Sequence, residues 1–294
     1  MDYFLQLFLS GICIGAVYGL GAIGFVIIYK SSGIFNLAHG EMMMVGAFFG
    51  VTFANLLGWP MWLAFILALV LAAVTGFVIQ FLVIRPLTGQ SHFAVLMVTV
   101  GLMFIIKGGT LLVWGHETYD FRELLFQVES LEIGEAIIAS EYIVGFIVSI
   151  VLFVLLWAYF SYTKNGLSMR ATADDEELAE SMGVRVRRIF GMSWILAGVS
   201  SAVGGIIMGM MTTIDYNMGE VGLKVLPVVV FGGLESFLGA IVGGIVVGVT
   251  GTLSGGYLDE YLTGFKEITP YILMLLVLLI KPFGLFGEKK IERI

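Results

Sequence analysis

The sequence is poor in charge and nearly devoid of cysteine. Only 13% of its 294 residues are Asp, Glu, Lys or Arg, about half the roughly 25% usual in a soluble domain. Meanwhile 59% are hydrophobic and mean hydropathy is +1.01, which excludes a water-soluble fold of this size. The single cysteine, Cys13, has no partner in the chain, so an internal disulfide is ruled out. No Gly-x-x-x-x-Gly-Lys-Ser/Thr loop occurs, and ATP hydrolysis by that route is excluded. There is no His/Glu zinc pair at helical spacing and no nucleophile elbow. The histidines His39, His92 and His116 lie too far apart to supply metal-ligand spacing. A membrane-embedded enzyme needs a cluster of acids, bases or ligands, and the few ionisable residues in the apolar runs are scattered. Neither a cofactor bound by this chain nor a nucleic-acid partner is expected. The net charge of -7 adds little, because most of the acid sits in two short stretches.

What is present is apolar sequence in runs long enough for a bilayer, roughly 20 residues each. Hydropathy read against breakers predicts full spans near 4–29, 34–57, 61–84, 93–114, 142–160, 189–211 and 268–281. The first run has Asp2 before it where a secretory leader has a basic region, and it reads as a retained span. Basic residues collect in alternate loops: Lys30, Arg85, the set Lys164, Arg170, Arg185, Arg187 and Arg188, then Lys281, Lys289, Lys290 and Arg293. By the positive-inside rule these ends face the cytoplasm. Residues 115–141 hold Glu117, Asp120, Glu123, Glu129, Glu132, Glu135 and Glu141 against one Arg122, so this acidic loop reads as external. The expectation is an all-α polytopic bundle of about eight hydrophobic segments, with an external N-terminus and a cytoplasmic C-terminus.

Residues 222–251 break the pattern, since Asp215 and Glu220 before them and Asp259 and Glu260 after them all read as external. Thirty residues are too few for two full spans at about 1.5 Å each, and Pro227, Gly232, Gly233, Glu235 and Ser236 interrupt them. A re-entrant Gly-rich hairpin or a pair of short helices is predicted, either lining a pathway or only packing.

The string from Ser31 to Glu41 interrupts the second run at its cytoplasmic start and carries Asn36, His39 and Glu41 into the hydrocarbon. Ionisable groups at such depth face a bundle interior or a wet cavity. The plainer alternative is a local cap, with Asn36 as N-cap. This interrupted segment and the one at 222–236 enter from opposite sides, the pattern of inverted repeats meeting at a midplane site. Lys107 lies about 10 Å before the outer end of the fourth run. Either it snorkels to the interface or it lines a route that attracts an anionic solute. Glycines four apart, Gly11, Gly15 and Gly19, Gly205 and Gly209, and Gly239, Gly243, Gly244 and Gly248, are read as helix-packing positions.

The longest cytoplasmic segment, residues 161–188, contains Arg170, Ala171, Thr172, Asp174, Glu177, Leu178, Ala179, Met182 and Gly183. Thr172 or Asp174 can cap a short helix there, with Leu178, Ala179 and Met182 as a small apolar face and Gly183 closing it. It is either a solvated loop helix or a docking element for a cytoplasmic partner.

Together these stretches resemble the permease subunits of branched-chain amino acid ABC importers, the LivH-like group, over nearly the full chain. Asn36-Leu37-Ala38-His39-Gly40-Glu41 is similar to that family's Asn-Phe-Ala-His-Gly-Glu signature. Thr99-Val100-Gly101-Leu102 is similar to its fourth-span Thr-Ile-Gly-Leu pattern. Gly232-Gly233, Ser236, Gly239-Ala240 and Gly243-Gly244 resemble its Gly-rich hairpin, and Lys281 to Gly287 its terminal Arg-Pro-x-Gly-Leu-x-Gly. Lys107 and Glu235 depart from it, standing where a neutral polar residue and a glycine are expected.

The resemblance implies one transmembrane permease domain, residues 1–294, in a bacterial or archaeal cytoplasmic (inner) membrane. It also implies a second, LivM-like permease, two ABC ATPase subunits that use the ATP, and an external solute-binding protein. Translocation-pathway candidates are Asn36, His39, Glu41, Thr99, Lys107 and Glu235. Arg170, Ala171, Asp174, Glu177, Ala179, Met182 and Gly183 fall in the coupling segment that would enter a groove of the ATPase. The solute is a branched-chain amino acid or a related amide, urea or carboxylate. The competing reading is a self-sufficient channel or ion-coupled carrier.

Overall fold

The computed structural model describes residues 2–87, 89–121, 123, 125, 126, 128–133 and 136–287. Arg122, Glu135, Lys289, Lys290 and Arg293, used above for orientation, lie outside the described residues.

Eleven α-helices occur among these residues: α1 Asp2–Ser32, α2 His39–Val51, α3 Met61–Ile79, α4 His92–Trp114, α5 Ser140–Tyr162, α6 Lys164–Asp174, α7 Glu176–Ser181, α8 Val186–Met211, α9 Val221–Gly232, α10 Phe237–Tyr257 and α11 Phe265–Ile280. Six segments are long and apolar enough to cross a membrane: Tyr3–Ser32, Met61–Leu87, Phe93–Trp114, Ser140–Tyr162, Val186–Met211 and Phe237–Tyr257. The most enclosed apolar windows are 83% buried in α1 and 67% in α8, against 22–28% in α3, α4 and α5. The first two therefore form the centre, and the others turn apolar faces outward, as lipid contact requires. The acidic loop carries a small departure from the all-α expectation, two three-residue antiparallel strands, β1 Leu131–Ile133 and β2 Ala136–Ile138.

Contacts assign the helix ends. Tyr3 Oη donates to Gly256 O, and Tyr119 bridges to Ile214, at one end of the bundle. At the other, Lys30 Nζ donates to Glu235 O, and the N–H groups of Leu285 and Phe286 donate to Phe231 O and Gly232 O. Those two bonds satisfy carbonyls that the last turn of α9 cannot satisfy itself.

Two segments differ from their predicted form. Residues 34–57 are not one full span: Gly33 takes a φ of +64°, the chain runs without helix, and α2 begins only at His39. His39 Nε2 reaches Gly21 O, which at about 1.5 Å per residue lies roughly 16 Å inward from Ser32, near the middle of a bilayer core about 30 Å thick. The α9–α10 hairpin does not stop within the membrane either, because its turn reaches the Lys30 end. Its arms are unequal, 12 residues in α9 and 21 in α10, which continues to Tyr257 rather than 251. Pro227 lies inside the short arm and cannot donate to Leu223 O. The hydroxyl of Tyr271 on α11 donates to that carbonyl instead, at 3.2 Å.

One plan occurs twice in opposite directions. A long helix (α1, α8) leads through an irregular segment to a short helix (α2, α9), and then to two further apolar helices (α3 and α4, α10 and α11). The packing is reciprocal, with α1 along α10 and α8 along α3. Each crossing is made close by glycine. A Cβ on Gly15 would meet Gly244 O and the Ile245 backbone, and one on Gly198 would meet Ala72 O. Gly15 and Gly244 serve here the close-packing role expected of them, and Gly198 adds a position not read from the sequence.

Candidate functional site

The short helices α2 and α9 begin against each other. Gly40 Cα and Gly222 Cα are in backbone contact, and a Cβ on Gly40 would strike Gly219 O. The helix dipoles therefore present two positive ends at one place inside the bundle. Discontinuous helices arranged in this way hold polar solutes in transporters.

The predicted residues fall into three groups. Asn36 and Thr99 shape the irregular segment. Asn36 Oδ1 accepts from Ala38 N at 3.1 Å, while Thr99 Oγ1 accepts from Leu37 N at 3.3 Å and donates to Leu96 O at 2.8 Å. Asn36 acts on the turn before the helix, with Ala38 rather than Asn36 at the N-cap position. His39 is fully buried and braces α2 between α1 and α8. Gly21 O can only accept, so Nε2 carries the proton across 3.0 Å. Ser201 Oγ stands 3.2 Å from Nδ1, and the Phe25 ring lies 4.4 Å away, centroid to centroid.

Glu41 and Lys107 belong to a polar station. The Glu41 carboxylate lies against Gly219, where a Cβ would collide with it. Glu41 is only 4% exposed, and its Oε2 has no hydrogen-bond partner among the described residues. Gly219 is followed directly by Glu220, the second acid of the station. Lys107 Nζ is 3.4 Å from Glu220 Oε1 and 5.7 Å from the centre of the Tyr216 ring, which His116 meets edge-on. Both readings of Lys107 accommodate this pairing.

Glu235 stands apart from this station, in the α9–α10 turn at the Lys30 end, beside a cavity shared with Lys30, Arg170 and Phe286. The coupling segment lies at the same end and folds as two helices. Neither Thr172 nor Asp174 caps the second. Asp175 does so, its Oδ1 accepting from Leu178 N at 2.8 Å, whereas Thr172 is inside α6 and bonds back to Ser168 O. Gly183, at φ +88°, closes α7. The expected apolar face is split: Ala179 is 4% exposed and packs inward, while Leu178 and Met182 are 60% and 80% exposed. Asp174 and Glu177 are exposed beside them, and Arg170 and Ala171 are half-buried on α6.

Reasoning from sequence missed Glu220, Tyr216, Gly219 and Ser201 as parts of these sites. A signal existed for two of them, since Gly40-Glu41 and Gly219-Glu220 are the same dipeptide at the start of each short helix.

Comparison with known proteins agrees with this architecture. The chain is 29% identical to the high-affinity branched-chain amino acid transport system permease protein LivH of Salmonella typhimurium, over 99% of this chain and 98% of that one. It is 26% identical to the corresponding permease protein BraD of Pseudomonas aeruginosa, with the same coverage. Among solved structures, PsaBC from Streptococcus pneumoniae in complex with Fab matches with a TM-score of 0.50 over 97% of this chain and 93% of that one; at 15% identity this likeness concerns fold alone. Residues 7–280 match the model of the branched-chain amino acid transport system / permease component family, and the chain belongs to that family.

Proposed function

We propose that this chain is a transmembrane permease subunit of an ABC importer for branched-chain amino acids, working beside a second, LivM-like permease in a cytoplasmic membrane. The observation that carries this reading is the family match across residues 7–280, joined to a short exposed helix pair at the Lys30 end. On this reading the Lys30 end faces the cytoplasm, as the basic residues there favour, and the N-terminus and acidic loop face outward. Of the two ATPase subunits, one receives α6 and α7, with Leu178 and Met182 entering its groove and Arg170, Ala171, Asp174, Glu177, Ala179 and Gly183 shaping the element. ATP is hydrolysed on those partners. An external binding protein delivers the solute to the outer face.

The station of Glu41, Lys107 and Glu220 lies on the route between the two permeases, which explains how an ion pair with Glu220 62% exposed is kept out of lipid. Asn36, His39 and Thr99 hold the break that positions this station. Glu235, beside Lys30 and near Arg170, belongs to the link between the coupling helices and the bundle.

The test is reconstitution. The chain is co-expressed with a LivM-like permease, ABC ATPases and a solute-binding protein, purified as one complex and placed in liposomes. ATP-dependent leucine uptake that requires every component is the expected result. Uptake by this chain alone without ATP would instead establish a self-sufficient carrier.

A further inference from the structure

We propose that Glu41, Glu220 and Lys107 form a head-group site for a zwitterionic α-amino acid. The substrate ammonium takes the place that the Lys107 ammonium holds at Glu220, and the freed Lys107 meets the substrate carboxylate. This rests on the importer reading above and adds to it the residues that recognise the solute.

Three observations carry it. Glu41 Oε2 is buried and unpartnered among the described residues, and a carboxylate oxygen in that condition calls for a donor. A primary ammonium brings three. Next, Lys107 already shows how an ammonium sits here, held by the acid of Glu220 on one side and the Tyr216 ring on the other. Acid plus aromatic face is a general way to bind such a cation. The pair is also loose at 3.4 Å, with side chains 26% and 62% exposed, so an entering ligand can reach and part it.

Charge decides between classes of solute. The Lys107–Glu220 ion pair is neutral as a unit. A zwitterion inserted into it leaves that sum at zero and gives both Lys107 and Glu220 a new opposite partner. A simple carboxylate takes Lys107 and leaves Glu220 unpaired, while a simple amine takes Glu220 and leaves Lys107 unpaired. Uncompensated charges at this depth are costly. The station therefore selects molecules carrying both groups.

The experiment uses the complete permease–ATPase complex in detergent, without binding protein, and follows its melting temperature. L-leucine is compared with 3-methylbutylamine, which lacks the carboxylate, and 4-methylpentanoate, which lacks the ammonium. Leucine is expected to raise the melting temperature and each single-charge analogue to leave it unmoved. The leucine shift is expected to vanish in Glu41→Gln and in Lys107→Met and to persist in Lys107→Arg, with co-purification of the partners checking that each variant assembles. An equal shift from 4-methylpentanoate or 3-methylbutylamine, a wild-type shift in both neutralised variants, or no leucine shift at all would each overturn the site. ATP-dependent uptake by the wild-type importer is a separate readout: uptake without a leucine shift removes the head-group site and leaves the importer reading standing.

Discussion

Gly40 and Gly222 touch backbone to backbone, and through that contact the first turns of α2 and α9 meet inside the bundle. Gly219, next to Glu220, carries the Glu41 carboxylate on its surface, and Gly40 lies under Gly219 O. No side chain fits between them. The distance between the two half-helices, and with it the shape of the polar station, is set by the absence of two Cβ atoms.

Gly40→Val and Gly222→Val are accordingly expected to destabilise the complex. Overpacking a close contact costs about 1–3 kcal/mol, and here the obstructing atoms are backbone, which cannot rotate away. Gly109→Ala is the control, because a Cβ there meets nothing within 4 Å and alanine favours helix. Thermal denaturation of the purified importer should show a lowered midpoint for the first two variants and none for the third. A wild-type midpoint in Gly40→Val would mean that the half-helices do not meet as described.

His39 is expected to serve position rather than passage. Its ring is enclosed by Gly21 O, Ser201 and Phe25, and a Cβ on Gly24 would run into it. His39→Ala removes the ring and leaves Gly21 O, a buried acceptor, without that donor, a combination expected to cost on the order of 3 kcal/mol. Ser201→Ala removes one weak partner and is expected to cost about 1 kcal/mol. The measurement is the melting midpoint alongside the substrate concentration dependence of uptake. His39→Ala should lower the midpoint and the amount of active importer. A changed KM with unchanged stability would place His39 on the route itself.

How far the sequence led is visible in particular residues. The long apolar runs marked α1, α3, α4, α5, α8 and α11, because a bilayer imposes one length and one composition on whatever crosses it, whereas α10, at 21 residues, lay inside what read as a short-armed hairpin. The interrupted strings 31–41 and 222–236 marked where the two short helices begin, since Gly, Pro and polar residues break such runs, but 34–57 still read as one full span and not as the 13-residue α2. What remained hidden was relative. Nothing local tells that α9 reaches the Lys30 end, because its last carbonyls are satisfied by Leu285 and Phe286, far along the chain. Lys107 was visible as an intramembrane cation, yet its partner Glu220 read as an ordinary external acid until the fold brought them to 3.4 Å. Asp175 lost to Asp174 as a predicted cap because both have the right side chain; only the backbone break at 175, φ -157° and ψ 108°, selects between them.

The coupling helices provide the last prediction, and it separates surface from core within six residues. Leu178 and Met182 are apolar, 60% and 80% exposed, and ringed by Glu176, Glu177 and Glu180. Bare apolar side chains at the rim of a polar helix have no role in holding this chain together, so Leu178→Asp with Met182→Asp should change its stability by no more than about 0.5 kcal/mol per site. If α7 enters an apolar groove of the ATPase, the same pair of charges is buried without partners on docking, at several kcal/mol. Co-purification of the ATPases should then fall by tenfold or more, and uptake with it. Ala179→Asp provides the contrast, because Ala179 is 4% exposed against the bundle and an acid there should lower the melting midpoint of the chain itself. Leu178→Asp with Met182→Asp that retains full ATPase binding would move the docking surface off α7, and the half-buried Arg170 and Ala171 on α6 would become the residues to alter next.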